Sequence, residues 1–318
     1  MSDRLALPLQ TPLFDQLTLV GVGLIGSSLA RVARRQNLAK TIVALDASED
    51  ARKKITALHL ADRVTDDYAE GVKNADCIIL CVPVGACGAV AERIAPSLKA
   101  GAILSDVGSV KGAIISQIEP HLPKHVHFVP AHPVAGTEQS GPEAGFATLF
   151  NNRWCILTPP EGTDKDAVAK LRLFWEGAGS NVEEMSPAHH DLVLAITSHL
   201  PHLIAYNIVG TAADLEAVTE SEVIKFSAGG FRDFTRIAAS DPTMWRDVFL
   251  NNKDAVLEML GRFTEDLSAL QRAIRYGDGE TLFNHFTRTR AIRRSIIEIG
   301  QDSATPDFGR QAKDDPAQ

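Results

Sequence analysis

Three groups of side chains in this sequence have the types and spacings to carry chemistry. The first is His132, within Phe128-Val-Pro-Ala-His-Pro-Val-Ala-Gly-Thr-Glu-Gln-Ser-Gly141. Imidazole exchanges its proton near neutral pH, so a histidine where a strand runs out can act as a general base. Pro133 bars helix directly after it, because proline pushes its predecessor into extended geometry. The second group is Asp191, Ser198 and His202, which interrupt the otherwise apolar residues 189–209 at spacings of seven and four. On a helix those positions fall within about 60° of one another and form one polar stripe. The third is Arg232 and Arg236, four apart in Gly229-Gly-Phe-Arg-Asp-Phe-Thr-Arg-Ile237. In a segment rich in glycine and phenylalanine they are expected to be buried, and a guanidinium is the usual two-pronged partner of a carboxylate. Base, stripe and arginine together suit proton removal from a small organic acid. Each also has a plainer reading, as core histidine, internal hydrogen-bond network or surface charge.

The elements that must position these groups begin with a nucleotide cradle. Residues 17–22 read as a short apolar strand ended by Gly21-Val-Gly23-Leu-Ile-Gly26, and residues 27–35 as the following helix. Between strand and helix, Gly21 permits the tight turn, Gly23 lets the backbone approach a pyrophosphate, and Gly26 allows close helix–strand packing. Free N–H groups at the helix start hold the anion, with Leu24 and Ile25 in the same turn. The second strand, residues 41–45, ends in Asp46, twenty residues after Gly26. A carboxylate there binds the adenosine ribose and repels a 2′-phosphate, so the cofactor reads as NAD in preference to NADP. Arg52 lies near enough in sequence to favour the opposite.

The strand and helix alternation continues through the middle of the chain. Cys77-Ile-Ile-Leu-Cys-Val-Pro83 is a continuous apolar strand, as a parallel sheet buried on both faces requires, with Val82 and Pro83 at its cofactor end. A helix over residues 84–95 and a strand over 102–108 follow. Ser109 then caps a helix over 110–118, or faces the nicotinamide pocket; the two roles are compatible. Strands over 126–131 (leading into His132), 151–158 and 181–184 flank a helix over 165–177. After Pro187 the signals turn helical. The sequence therefore predicts an α/β Rossmann-like domain with a mostly parallel sheet, followed by an all-α domain. The expected division is a flexible arm (1–13), a nucleotide-binding domain (14–185), a helical substrate-binding domain (186–302) and a disordered tail (303–318).

Composition narrows the partners. A net charge of −8 without a long basic run argues against nucleic acid, while clustered arginines leave an anionic small substrate open. Cys77, Cys81, Cys87 and Cys155 form no C-x-x-C pair and no zinc-like spacing, so they read as buried thiols and no metal is expected. No apolar run reaches the ~20 residues of a membrane span, and the first twelve residues lack the apolar core of a signal peptide. A cytoplasmic protein is expected. Residues 189–209, apolar nearly all round, should be buried in a core or between subunits. His199 lies off the polar stripe, which suits a structural role, and Pro201 predicts a kink beside His202.

With these residues in view, the chain resembles the prephenate/arogenate (cyclohexadienyl) dehydrogenase family of tyrosine biosynthesis, from about Leu17 to about Ile299. The resemblance is carried by the glycine turn ending at Gly26, Asp106-Val-Gly-Ser-Val-Lys111, His132-Pro-Val-Ala-Gly-Thr-Glu138, Ser198-His-Leu-Pro-His202, Gly230-Phe-Arg-Asp-Phe-Thr-Arg236 and Ser240-Asp-Pro-Thr-Met-Trp-Arg-Asp247. It implies NAD-linked oxidative decarboxylation of a cyclohexadienyl acid, with His132 as the base on the ring hydroxyl and Ser109 bonding the same region. Arg236 would bind a substrate carboxylate, with His202, Ser198 and Trp245 lining the pocket and Thr137 and Glu138 closing its wall. Asp191 would pair with Arg236 as a gate. The family dimerises through its helical half, which implies a homodimer. No fused chorismate mutase segment or regulatory ACT domain is expected, so feedback by tyrosine would have to act at the active site. Two other readings compete. A β-hydroxyacid or imine reductase would place a lysine on the first interdomain helix, and residues 189–209 contain none. A nucleotide sensor without turnover would not need His132, Ser198, His202 and Arg236 together.

Overall fold

Strand β1 (Phe14–Val20) is the hub of a six-stranded parallel sheet in the order β3-β2-β1-β4-β5-β6. Its flanking strands are β2 (Ala39–Leu45) and β4 (Cys77–Leu80), with β3 (Arg63–Thr65) at one edge and β5 (Ile103–Asp106) then β6 (His127–Phe128) toward the other. The structure, a computed structural model, describes residues 8–216 and 229–298. The tail expected to be disordered and the first seven residues of the arm lie outside the described residues. Both faces of the sheet are covered, so Leu17, Leu19, Ile42, Leu45, Ile78 and Ile79 are buried without alternation. Even the polar Thr18 is buried, its hydroxyl donating to the Gly71 carbonyl at 2.8 Å. The strand order reverses beside β1, and there the carboxyl ends of β1 and β4 open a crevice. Helix α1 (Leu24–Arg35) follows β1, while α2 (Glu49–Ala57) and α3 (Tyr68–Val72) each start from a side-chain cap, Ser48 and Asp67.

The strand expected over residues 126–131 is two strands in two sheets. Pro130 has no N–H for a ladder, so pairing with β5 stops at Phe128. The chain then starts β7 (Ala131–Pro133), antiparallel to β8 (Trp154–Leu157), which pairs in parallel with β9 (Asn181–Glu184). His132 therefore sits inside a strand opposite Ile156, where the sequence reading put it just past a strand's end. The expected helix over 84–95 is a 3-10 turn, Val84–Ala86, followed by α4 (Cys87–Ile94) and a second 3-10 turn that takes in Pro96. Helix α6 (Lys165–Gly177) and β9 fall where expected.

Ser109 does not cap the next helix. Helix α5 spans Lys111–Ile118, its N-cap position is Val110, and no local side chain closes it. Nor is the apolar helix simply kinked. Helix α7 (Pro187–Leu194) passes through a π turn, Ala195–His199, into α8 (Leu200–Glu216). The wide turn directly precedes Pro201, which has no N–H to return to the turn before it. The whole run Pro187–Asp214 is long and apolar enough to cross a membrane, contrary to the sequence expectation. Its polar residues show a different use, since Asp191 and His190 are tied to α5 and His132.

The chain forms two compact units. One gathers the residues up to Ile204 with Ile237–Val256, which adds the helix Pro242–Asn251 to both sheets. This helix packs against the 3-10 turn after β4. The other unit, Ala205–Arg236 with Leu257 onward, holds the rest of α8, the short helix Gly229–Thr235, most of Lys253–Tyr276 and the helix Gly279–Glu298. Its helices leave Leu257, Leu267, Ile274, Phe283, Phe286 and Ile292 exposed in a single chain.

Candidate active site

The glycine turn forms a cleft of about 300 Å³ lined by Gly21, Val22, Gly23, Asp46, Ala47, Tyr68, Val82 and Pro83, among others. Gly21 has φ +81°, and a Cβ there would meet Val82 at 2.8 Å. A Cβ on Gly26 would meet the Gly21 carbonyl at 2.5 Å, whereas one on Gly23 would point into open space. These are the three demands of a turn whose middle glycine faces a pyrophosphate. Asp46 accepts the Val22 N–H and the Ser48 N–H, both at 2.9 Å, which sets its carboxylate at the cleft. Arg52 is committed elsewhere, donating to the Asp46 and Ala47 carbonyls and pairing with Asp66 at 2.9 Å. Nothing in that arrangement offers it to a 2′-phosphate, and the residues present fit NAD. Leu24 and Ile25 do not line the cleft; they pack on the core. Tyr68 was not legible as a cleft residue; no motif marks it.

His132 is buried and bonded in a line. Its Nδ1 lies 2.8 Å from Nε2 of His190, and Nδ1 of His190 lies 2.8 Å from Oδ1 of Asp191. Asp191 in turn accepts the backbone N–H of Lys111 at Oδ1 and of Gly112 at Oδ2, each at 2.8 Å. The cap that Ser109 does not supply therefore comes from α7, and the carboxylate meets the positive end of α5. Burial pushes the Asp191 carboxyl up, but the bonds from His190, Lys111 and Gly112 outweigh it, and the net shift is below the ordinary carboxylate value. Burial, then the neighbouring His190, Lys111 and His199, hold His132 well below the ordinary histidine value. Its imidazole is therefore neutral at physiological pH.

Lys111 is the second buried feature. Its Nζ donates to Asp106 at 2.5 Å and to the Ala131 carbonyl at 2.7 Å, fixing the residue before His132. Across β8, the Cys155 thiol is pushed well up by burial, and that of Cys87 is pushed up to about 12, so neither is a nucleophile. On the π turn, His199 is fully buried and its Nδ1 lies 3.1 Å from Nδ2 of Asn252, which also donates to the Asp191 carbonyl at 2.9 Å. Burial lowers His199 to about 4, with smaller opposing contributions from Asp191 and the Ser109 backbone. That contact with Ser109 is not a full hydrogen bond, for Nε2 completes none among the described residues. The structural role expected for His199 matches this packing.

His202 stacks on Trp245 with ring centroids 3.7 Å apart and planes 24° from parallel, and its Nδ1 takes up the Ser198 carbonyl at 2.8 Å. Ser198 thus meets His202 through its backbone. Ser109 is half-buried at the turn before α5, and Thr137 and Glu138 are exposed on the loop after β7. Arg236 opens a 3-10 turn after the helix carrying Arg232, and no residue of Gly229–Ala239 is buried in the single chain. The sequence reading of a buried arginine segment is corrected accordingly. It overlooked His190, Asn252 and the Lys111–Asp106 pair. A signal existed for one of them, because His190 adjoins Asp191 at the start of the long apolar helix.

Comparison with known proteins follows this anatomy. Residues 29–184 match the nucleotide-binding domain of prephenate dehydrogenase, and residues 186–288 match its dimerization domain. A cyclohexadienyl dehydrogenase of Zymomonas mobilis is 44% identical over 283 residues, covering 89% of this chain and 96% of that protein. A prephenate dehydrogenase of Bacillus subtilis is 35% identical, covering 92% of this chain and 79% of that one. Among solved structures, the prephenate dehydrogenase of A. aeolicus, in complex with hydroxyphenyl propionate and NAD+, superposes with a TM-score of 0.84 at 35% identity, over 91% of this chain and 99% of that one. The arogenate dehydrogenase of Synechocystis superposes at 0.75 and 28% identity, over 88% and 99%.

Proposed function

The chain belongs to the prephenate dehydrogenase family, and on that premise we propose that it is the NAD-dependent enzyme that oxidatively decarboxylates prephenate, arogenate or both. The observation that carries this reading is a buried, neutral imidazole, His132, in the same compact unit as an NAD-type cradle. His132 takes the proton of the ring hydroxyl, so that oxygen can form a carbonyl as hydride leaves its carbon. NAD, held by Gly21, Gly23 and Asp46, supplies the hydride acceptor when bound. The ring carboxylate then leaves as CO2, its bonding electrons return to the ring, and the phenol oxygen recovers the proton. Aromatisation drives the sequence, so the protein's task is alignment and proton handling.

Ser109 serves the same hydroxyl, and His202, on its Trp245 platform, lines the substrate pocket with Ser198. Arg236 binds a substrate carboxylate on the strength of its motif, and Thr137 and Glu138 close the wall. A homodimer through the helical unit would cover its exposed apolar row, a reading that the match to a dimerization domain supports. We place the enzyme in the cytoplasm, where its free cysteines would stay reduced. The test follows NADH absorbance with prephenate and then with arogenate. NADH formed with either supports the assignment and names the substrate; none with both would end it. A reductase reading would require a lysine base on the helix after the nucleotide domain, and Pro187–Asp214 has none.

A further inference from the structure

His132, His190 and Asp191 stand in a line of two hydrogen bonds, 2.8 Å each, that ends on the N-terminus of α5. Donor and acceptor roles along it are not free. Asp191 takes two backbone N–H groups and is an anion, so Nδ1 of His190 must donate to it. A neutral imidazole has one donor and one acceptor nitrogen, which makes Nε2 of His190 an acceptor. At 2.8 Å from that nitrogen, Nδ1 of His132 must carry the proton.

We propose that His190 and Asp191 are positioning residues for His132: they keep its proton on Nδ1 and so leave Nε2 as the nitrogen that receives the substrate proton. The opposite arrangement needs His190 protonated on both nitrogens. Burial and the nearby Lys111 cation oppose that form, and His190 falls below the ordinary histidine value despite the Asp191 bond. The charged and titratable groups around the line are Lys111 and Asp106 from the β5–α5 turn, Cys155 from β8, His199 from the π turn, and Asp191 itself. Lys111 disfavours a second positive charge on His132. When His132 takes a proton on Nε2, its Nδ1–H stays on His190, and the Asp191 anion at the far end offsets the new charge. No proton has to leave the line.

The hydroxyl as proton source rests on the dehydrogenase reading above, but the tautomer does not. Long-range nitrogen–proton NMR of histidine-labelled protein with NAD, with His132 identified by its loss in His132→Asn, reads the tautomer directly. Protonation at Nδ1 is expected, and protonation at Nε2 overturns the proposal. In turnover, Asp191→Asn lets an amide donate to His190 and reverses both rings. A fall in kcat on the order of a hundredfold or more is expected, with NAD affinity within about threefold. His190→Gln, which keeps an acceptor for His132, should exceed His190→Phe by roughly tenfold. Asp191→Asn and His190→Phe both within about threefold of wild type would also overturn it. If either variant fails to fold, the wild-type spectrum decides. Absence of NADH formation by the wild type would sink the enzymatic reading and leave the tautomer result intact.

Discussion

Lys111 and Asp106 form an ion pair with both side chains fully buried, 2.5 Å from Nζ to Oδ2, across the turn that carries Ser109. The same ammonium holds the Ala131 carbonyl, so one buried cation ties β5, α5 and β7 together next to His132. Removing one partner strands the other charge in the core. Lys111→Met should therefore cost about 3–5 kcal/mol of stability. Paired with Asp106→Leu, it should recover more than half of that loss, because a matched apolar pair leaves no charge behind. Urea unfolding of the single and double variants measures both, and equal losses in the two would show that the pair is not the cause.

His132→Asn removes the proposed base but keeps a side chain able to occupy the site. A fall in kcat of roughly 10²–10⁴ is expected from loss of general-base catalysis alone. NAD binding, read by fluorescence titration, should stay within about threefold, since His132 does not line the nucleotide cleft. Undiminished kcat would remove His132 from the mechanism.

The proposed role of Asp46 in cofactor choice runs through a carboxylate held by the Val22 and Ser48 N–H groups. Asp46→Asn keeps the shape and deletes the charge. The KM for NAD should rise by about tenfold, the value of one charge-assisted hydrogen bond, and NADP should become a better substrate than it is for the wild type. An unaltered preference between the two cofactors would mean that another group sets it.

Arg236 is exposed in a single chain, and its proposed role is to hold a carboxylate of the substrate. Arg236→Gln should raise the KM for the substrate acid by about ten- to a hundredfold. NAD affinity should hardly move. An unchanged KM would withdraw the arginine from substrate binding.

What could be read in the sequence followed from local rules. The Gly21 turn, Asp46, α6 and β9 each depend on spacing within a few residues or a short apolar run, and all stand where those rules put them. What could not be read depends on residues far apart in sequence. Ser109 has the chemistry of a cap, but Asp191, eighty residues beyond Lys111, reaches the helix end instead. The break at Pro130 could have been anticipated, since a proline within a run demotes a strand. That the two pieces would join different sheets could not. Asp191, Ser198 and His202 were grouped by an ideal helix, and the π turn lies between the first and last of them. The His132–His190 bond joins a strand to a helix 58 residues away, and nothing local announces it.

The cluster of buried imidazoles also sets how stability depends on pH. His132, His190 and His199 are all held below the ordinary histidine value, His199 to about 4, chiefly by burial. In the unfolded chain each titrates near 6.5, so below that pH the unfolded state binds protons that the folded state refuses. Their contribution is complete above pH 6.5 and is lost as pH falls from there through the folded values. Each such group adds a slope of about 1.4 kcal/mol per pH unit within its window. Asp191, whose folded value is depressed, loses its contribution only below the ordinary carboxylate value, at more acidic pH. Urea unfolding between about pH 6.5 and 4.5 should therefore show stability falling steeply in the wild type. His199→Gln, which can still bond Asn252, should fall less steeply by about one such increment. Parallel slopes would mean that His199 charges as readily folded as unfolded, and that the buried cluster is not what makes the protein acid-sensitive.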